Sequence, residues 1–205
     1  MQGLKNNQSG QSLIELIVSI AVITIGLFSV WFLFLVNFNA EKEAEMRIVA
    51  ANLAREGAEI VKNTRDSNWL RMANNLTGGD SQDFWLWDRG LESGSYITDY
   101  VSGLSPLADN GTAVLYYDDH GYYSVKSDDP DQVATPFFRQ IVLTSICCAD
   151  SGEDQKCDDT EYFIAEADCP NETLRIGIHV SSRVTWTYSG QPRQLTVEDE
   201  LFNWR

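Results

Sequence analysis

The stretch that decides the fold of this chain is residues 9–36, which read SGQSLIELIVSIAVITIGLFSVWFLFLV. Its last 21 residues, 16–36, carry no charge. As a helix this run is about 30 Å long, which is the thickness of the hydrocarbon core of a bilayer. An apolar run of this length without a polar face is typical of a membrane span, and it argues against a helix buried in a soluble core. The sequence therefore predicts a membrane-embedded helix over 11–38.

The charges on either side of this run predict its orientation. Lys5 and the amino terminus precede the run, whereas Glu41, Lys42, Glu43 and Glu45 follow it. Positive residues are retained preferentially on the cytoplasmic side of a membrane. We therefore expect the amino terminus in the cytoplasm and the C-terminal part of the chain outside.

A single carboxylate, Glu15, lies at the start of the apolar run. A charge in an apolar helix costs about 2.5–3.5 kcal/mol near the membrane centre and less near its end, so it requires a partner. In a filament of packed helices the partner could be the terminal ammonium group of a neighbouring chain. In an isolated chain, Glu15 would lie among the lipid headgroups. The spacing of five residues from Gly10 and the long run behind Glu15 favour the filament.

The segment Ser9-Gly10-Gln11-Ser12-Leu13-Ile14-Glu15 resembles the processing motif of type IV pilins and pseudopilins. In that family a dedicated peptidase cuts after a glycine, and the mature chain carries a glutamate as its fifth residue. The resemblance implies that prepilin peptidase removes residues 1–10, that Gln11 becomes an N-methylated amino terminus, and that Glu15 acts in assembly. One departure is Gln11 itself, because the family most often has phenylalanine there.

A second helical pattern follows the apolar run over residues 39–68. Polar residues such as Arg55 and Glu59 lie on one side of it. The other side is apolar at the i, i+3, i+4, i+7 spacing of a helix, and it consists of Met46, Val49, Ala50, Leu53, Gly57, Ile60 and Val61. This pattern predicts that the membrane helix continues as an amphipathic half whose apolar side packs on a sheet.

Residues 69–205 read as a β-rich head with frequent turn signals. The clearest strand is 174–188, where apolar and polar residues alternate over 15 positions and Ser182 interrupts the apolar side. A bend is expected at that serine. The other predicted strands are 112–118 and 121–126, which form a hairpin, 137–146, and 193–197. The fold class is therefore α+β, with a long N-terminal helix packed on an antiparallel sheet, as in pilins.

Four cysteines lie together in an acidic stretch, 147–169, that reads as a loop; they are Cys147, Cys148, Cys157 and Cys169. Clustered cysteines in an exported domain indicate disulfides. Adjacent cysteines rarely pair with each other, so we expect each of the first two to reach Cys157 or Cys169. A zinc site is the alternative, but the CxxC spacing typical of structural zinc is absent.

The same stretch contains carboxylates that could bind Ca²⁺, namely Asp150, Asp154, Asp158 and Asp159. Their spacing does not match an EF-hand, and a solvated loop is the favoured interpretation. A second acidic patch is 128–131. Calcium is thus the one cofactor that the sequence suggests, and it does so weakly.

Composition and motifs narrow the function. The net charge of −15 disfavours nucleic-acid binding. His120 and His179 belong to no recognisable catalytic motif, so we expect no enzyme. The favoured function is a structural subunit, a minor pilin or pseudopilin, that moves from the inner membrane into an extracellular filament of other pilin subunits. The alternative is a single-pass, membrane-anchored extracellular binding domain that does not polymerise.

Overall fold

A computed structural model describes residues 11–74, 87–99, 103–107, 113–118, 120–125, 132–150, 157–165, 167–170 and 173–203. Within these ranges, the side chains of 11–12, 73–74, 99, 149–150 and 157–161 lie outside the description. The chain divides into two compact units, Met1–Met46 and Arg47–Arg205, which are described separately below.

The first unit contains the beginning of helix α1, which spans Gln11–Asn74. Three hydroxyl groups within its apolar run donate to carbonyl oxygens one turn earlier. Ser19 Oγ donates to Glu15 O at 2.7 Å, Thr24 Oγ1 to Ala21 O at 2.9 Å, and Ser29 Oγ to Ile25 O at 2.9 Å. These bonds satisfy the hydroxyls without any outside partner, which is why serine and threonine are tolerated in this helix.

The second unit contains the later part of α1, which is buried on one side. The predicted apolar side is confirmed at Ala50, Leu53, Gly57 and Val61, whereas Val49 and Ile60 are half-buried. Met46, which is also half-buried, is the last residue of the first unit. The helix also continues beyond residue 68, because Trp69 is buried and extends the packed side into a further turn.

The rest of the second unit is an antiparallel sheet of eight strands. This confirms the α+β class that the sequence predicted. The strands are β1 Gly94–Asp99, β2 Gly103–Pro106, β3 Ala113–Tyr117, β4 Tyr123–Ser124, β5 Val133–Asp150, β6 Cys157–Ala165, β7 Thr173–Tyr188 and β8 Gln191–Phe202.

Strand β5 organises this sheet because both of its edges are paired. One edge pairs with β7 from Phe138 to Ala149, and β7 in turn pairs with β8. The other edge pairs with three strands in succession, first β3, then β1, and finally β6. Strand β2 pairs with β1, and β4 pairs with β3. The sheet is therefore built around one long central strand rather than around neighbouring hairpins.

One expectation about the head is wrong. The stretch 147–169 is not a single loop, because its beginning belongs to β5 and residues 157–165 form β6. Period-two alternation is weak there, so the ladder to β5, rather than the local pattern, defines the strand. Strands β1 and β2 were likewise not predicted, and β5 and β8 are longer than expected.

Strand β7 keeps its register at Ser182, and the bend expected there stays a prediction. Pairing between β5 and β7 runs without a shift from Phe138 to Ile146, and Ser182 lies opposite Ile141 in that stretch. Ser182 is fully buried, and a Cβ added to Gly57 would lie 2.5 Å from its Oγ and 3.0 Å from Ile141 Cδ1. The serine interrupts the apolar side because the helix approaches the strand too closely for a larger residue.

Candidate assembly site

The apolar part of α1 is exposed on all of its sides. From Leu13 to Phe38 every residue is exposed, and its large apolar side chains retain between 47% and 74% of their accessible surface. By length and composition this helix can cross a membrane, and none of its apolar window is buried in the chain. Apolar surface of this extent requires lipid or other protein chains around it.

Glu15 lies at the start of this exposed surface. Its side chain is exposed, and its carbonyl oxygen accepts the hydrogen bond from Ser19 described above. Gly10 lies outside the described residues, and Gln11 is described only as the first residue of the helix. The roles assigned to Gly10, Gln11 and Glu15 therefore stay predictions.

The exposed helix has two chemically different parts. Residues 16–27 are aliphatic or small, whereas five aromatic residues lie between 28 and 38. On the aromatic part, Trp31 stacks on Phe34 and Phe34 on Phe38, with ring centroids 6.4 Å and 6.3 Å apart. Lys42 Nζ then lies 4.9 Å from the Phe38 ring centroid. This row of stacked rings ends at the charged Lys42, which fits a helix that leaves an apolar environment at that residue.

Comparison with known proteins bears on this N-terminal segment. Residues 5–31 match the family model of the prokaryotic N-terminal methylation motif, which is the hallmark of type IV pilin-like prepilin proteins. The N-terminal segment thus carries the methylation motif of type IV pilin-like prepilins. The match includes Gly10, Gln11 and Glu15 and ends within the apolar part of α1. No curated protein and no solved structure matches the chain.

The head is attached to its own part of α1 through Arg139, a residue that the sequence did not single out. Arg139 is only 1% exposed, and its guanidinium donates to Leu53 O at 3.1 Å and Thr98 O at 2.8 Å. It also lies 3.3 Å from the Glu56 carboxylate. A buried arginine is tolerable only with such partners. It occupies an inward position on β5. Its burial could not be predicted from the sequence, because a charged residue in a strand is ordinarily expected to face water.

A second set of contacts fixes the segment that follows the described end of the helix. Asn68 Nδ2 donates to Trp87 O at 3.1 Å and to Arg89 O at 2.9 Å. From the other side, Arg175 on β7 donates to Asp88 Oδ2 at 2.7 Å and to Leu91 O at 2.6 Å. The segment is therefore bonded to both the helix and the sheet, and it contributes the buried Trp87 and Leu91 to the core.

The cysteines are disulfide-bonded in the described part of the head. Cys147 pairs with Cys169, which is one of the pairings that the sequence allowed, and Cys148 is also in a disulfide. A sulfur atom in a disulfide is not available as a thiolate ligand, so these residues do not support the zinc alternative. The Cys157 side chain lies outside the described residues, and its pairing stays a prediction.

The predicted calcium ligands are not tested here. The side chains of Asp150, Asp154, Asp158 and Asp159 all lie outside the description, as does the patch at 128–131. Among the described side chains, no group of three or more His, Cys, Asp or Glu is placed to hold a metal ion. His120 is exposed in the turn after β3, and His179 Nδ1 lies 3.4 Å from Thr144 Oγ1.

Two tyrosines of the head have perturbed acidity. Burial raises the pKa of Tyr96, and the nearby Glu92 carboxylate raises it further. Burial also raises the pKa of Tyr123, with smaller contributions from Tyr117 and Glu56. In both cases the neutral phenol is favoured because the phenolate would lose water and face negative groups. Both side chains are therefore neutral near neutral pH, and the Tyr96 hydroxyl donates a hydrogen bond to Glu92 O at 2.9 Å.

Proposed function

We propose that this pilin-like protein is a structural subunit, a minor pilin or pseudopilin, of a type IV pilus-like filament. The observation that carries the proposal is the match to the methylation motif on a helix whose apolar surface is entirely exposed. A helix of this kind has to exchange one apolar environment for another when it leaves the membrane. A bundle of like helices offers such an environment.

The proposed sequence of events begins with the precursor in the inner membrane. Prepilin peptidase cuts after Gly10, and Gln11 becomes the new amino terminus and is methylated. The ammonium group of one mature chain then pairs with Glu15 of a neighbour, since an unpaired carboxylate among apolar helices is costly. The head stays outside, where its disulfides are stable.

The chemistry of processing gives a direct experiment. Mass spectrometry of the native N-terminus should find a chain that begins at Gln11. Gly10→Val should leave the precursor uncut, whereas Gly3→Val, a change of the same kind within the proposed leader, should be cut normally. A native chain that begins at Met1 would reject the filament proposal and leave an anchored extracellular binding domain.

The task of the assembled subunit is a separate part of the proposal. The head is larger than a minimal cover for the helix requires, so we infer a role at an exposed position, in surface attachment, secretion or filament priming. Deleting the protein should reduce filament number or attachment to surfaces. Complementation with the Gly10→Val chain should fail to restore either property, whereas Gly3→Val should restore both.

A further inference from the structure

One end of the sheet has two strand edges that differ in chemistry. There the strands lie in the order β6, β5, β7, β8, because β5 pairs with both β6 and β7 and β7 pairs with β8. Within the described part of the chain, β6 and β8 each pair with one strand only. Each therefore has a second backbone edge that could pair with another chain.

The β8 edge has the features that prevent such pairing. Pro192 removes one backbone donor near its start. Glu198, Asp199 and Glu200 follow one another near its end, and all three are exposed. Consecutive charges on an edge strand disfavour the approach of a further strand, particularly of an acidic one. None of the large apolar side chains described on β8 is exposed either, so this edge lacks an apolar surface on which a further strand could pack.

The last part of the β6 edge lacks this protection. Tyr162, Phe163 and Ile164 are consecutive, apolar, and exposed by 56%, 44% and 47%. Successive side chains of a strand point to opposite faces, so β6 presents apolar groups on both of its faces. A continuous apolar run is typical of a strand covered on both faces, yet here neither face is fully covered.

Strand β6 is also held firmly in place. The disulfide between Cys147 and Cys169 joins β5 to the segment that follows β6. Ser93 Oγ bonds to Ala167 O in that same segment at 3.2 Å and lies 2.8 Å from Ser145 Oγ on β5. A strand fixed in this way loses little conformational freedom when it binds, which favours recognition.

We propose that β6 is a docking edge for an extended segment of another protein, which adds to the sheet as a further strand. The segment has apolar residues opposite Tyr162, Phe163 and Ile164 and lysine or arginine residues opposite the first half of β6. Backbone hydrogen bonds supply affinity in this mode of recognition, and the side chains supply specificity. The proposal does not depend on whether the protein polymerises.

Charge selects this occupant over a second copy of the chain. The sequence of β6, CDDTEYFIA, has three acidic residues in its first five positions, and the whole protein has a net charge of −15. Two copies of β6 paired antiparallel about Glu161 would place the two copies of Glu161 opposite each other and the acidic positions 158 and 159 opposite the apolar positions 164 and 163, which is destabilising. A basic strand instead meets a complementary charge and is attracted at a distance.

The test uses the full-length, disulfide-intact protein in detergent micelles and a fluorescent peptide, VVIVKTRK. Run antiparallel to β6, this peptide places apolar residues against 162–165 and basic residues against 158, 159 and 161. Fluorescence anisotropy should show binding at least about tenfold tighter than that of the acidic counterpart, VVIVETED, a loss of about 1.4 kcal/mol or more for the acidic peptide. Equal binding of the two peptides, or no binding of either, would overturn the proposal.

Matched variants locate the site. The double change Phe163→Thr with Ile164→Thr keeps strand-forming residues and should weaken peptide binding by about tenfold or more. Val133→Thr changes a residue that is 66% exposed at the start of β5, and it should leave binding unchanged. Equal weakening by both changes would reject β6 as the site.

Hydrogen exchange provides a second measurement that needs no variant. The basic peptide should slow exchange at backbone amides of β6 and leave those of β8 unchanged. Protection of β8 instead would reject the assignment. Concentration-dependent self-association that is lost in the double threonine variant would show that a second copy is the occupant, and it would overturn the choice of a basic partner.

Discussion

Two parts of helix α1 have the same backbone conformation and opposite surroundings. Residues 13–38 are exposed on every side, although nearly all of them are apolar. Residues 50–69 contain small and polar residues as well, yet one side of them is buried against the sheet. The difference shows that hydrophobicity alone does not determine burial within a chain. A helix that is apolar on every side has no single face that packs preferentially on its own sheet, whereas an amphipathic helix has one.

The largest effect is expected where the later part of α1 bonds to Arg139. Arg139→Met should lower the free energy of unfolding of the head by about 3 kcal/mol, because the carbonyls of Leu53 and Thr98 would lose a buried donor. Urea titration measures this change. Arg183→Met, on an exposed position of β7, should change the free energy of unfolding by less than about 0.5 kcal/mol. Similar losses in the two variants would contradict the role of Arg139.

The next effect separates the two parts of the helix by their environment. Ile25 and Ile48 are 67% and 62% exposed, so they are nearly equal within the isolated chain. Ile25→Asp should nevertheless make the free energy of membrane insertion less favourable by about 2.5–3.5 kcal/mol, because it places a charge near the middle of the apolar run. Ile48→Asp should insert normally. Membrane fractionation of the two precursors checks this. Equal insertion would contradict the assignment of residues 16–36 as the membrane span.

A pair of glycines refines the comparison. Gly57→Ala should lower the free energy of unfolding of the head by about 1–3 kcal/mol, because its Cβ would crowd Ser182 Oγ and Ile141 Cδ1. A Cβ on Gly26 meets nothing within 4 Å, so Gly26→Ala should leave that free energy unchanged.

A compensating change tests the mechanism of that effect. Adding Ser182→Gly to Gly57→Ala should restore part of the lost stability, because it removes the atom with which the new Cβ collides. Thermal unfolding of the three variants measures the coupling between the two positions. If the two losses simply add, close approach of the helix and the strand is not the cause.

The smallest effect concerns pH. Because the pKa of Tyr96 is raised in the folded head, the folded state holds this proton more tightly than the unfolded state does. Its contribution to stability is therefore complete below the unfolded pKa of about 10 and is lost as pH rises through the higher folded value. Tyr96→Phe should flatten the decline in stability between about pH 9 and about pH 11. An unchanged decline in urea titrations would show that other groups control it.

The sequence predicted the helical part of the fold better than the sheet. Helical periodicity is local, so the buried side of residues 50–61 could be found from spacing alone, and the confirmed strand β7 has an equally regular alternation. Strand β6 has no such alternation, and it is defined by its ladder to the preceding strand β5. Strands β1 and β2 are six and four residues long, which is too short for a clear alternation, so β1, β2 and β6 were missed.

The candidate assembly site could be predicted from the sequence because its residues lie close together along the chain. A glycine, a glutamate and an uncharged run have a fixed spacing along one segment, and the methylation motif matches that segment. By contrast, Arg139 reaches Leu53 across 86 positions of the chain, and no spacing rule connects them. The same holds for Asn68 and Arg175, whose partners lie in the segment that starts at Trp87.

By itself, the sequence determined that this protein has a long apolar helix, an amphipathic continuation, a β-rich head and a prepilin-type N-terminus. Each of these follows from neighbouring residues, because hydropathy and helical periodicity act over a few turns. Only the tertiary structure decided which edge of the sheet is exposed, why Ser182 faces Gly57, and where Arg139 is buried. Those properties depend on which distant segments come into contact, and the free energy of such contacts is not a property of either segment alone.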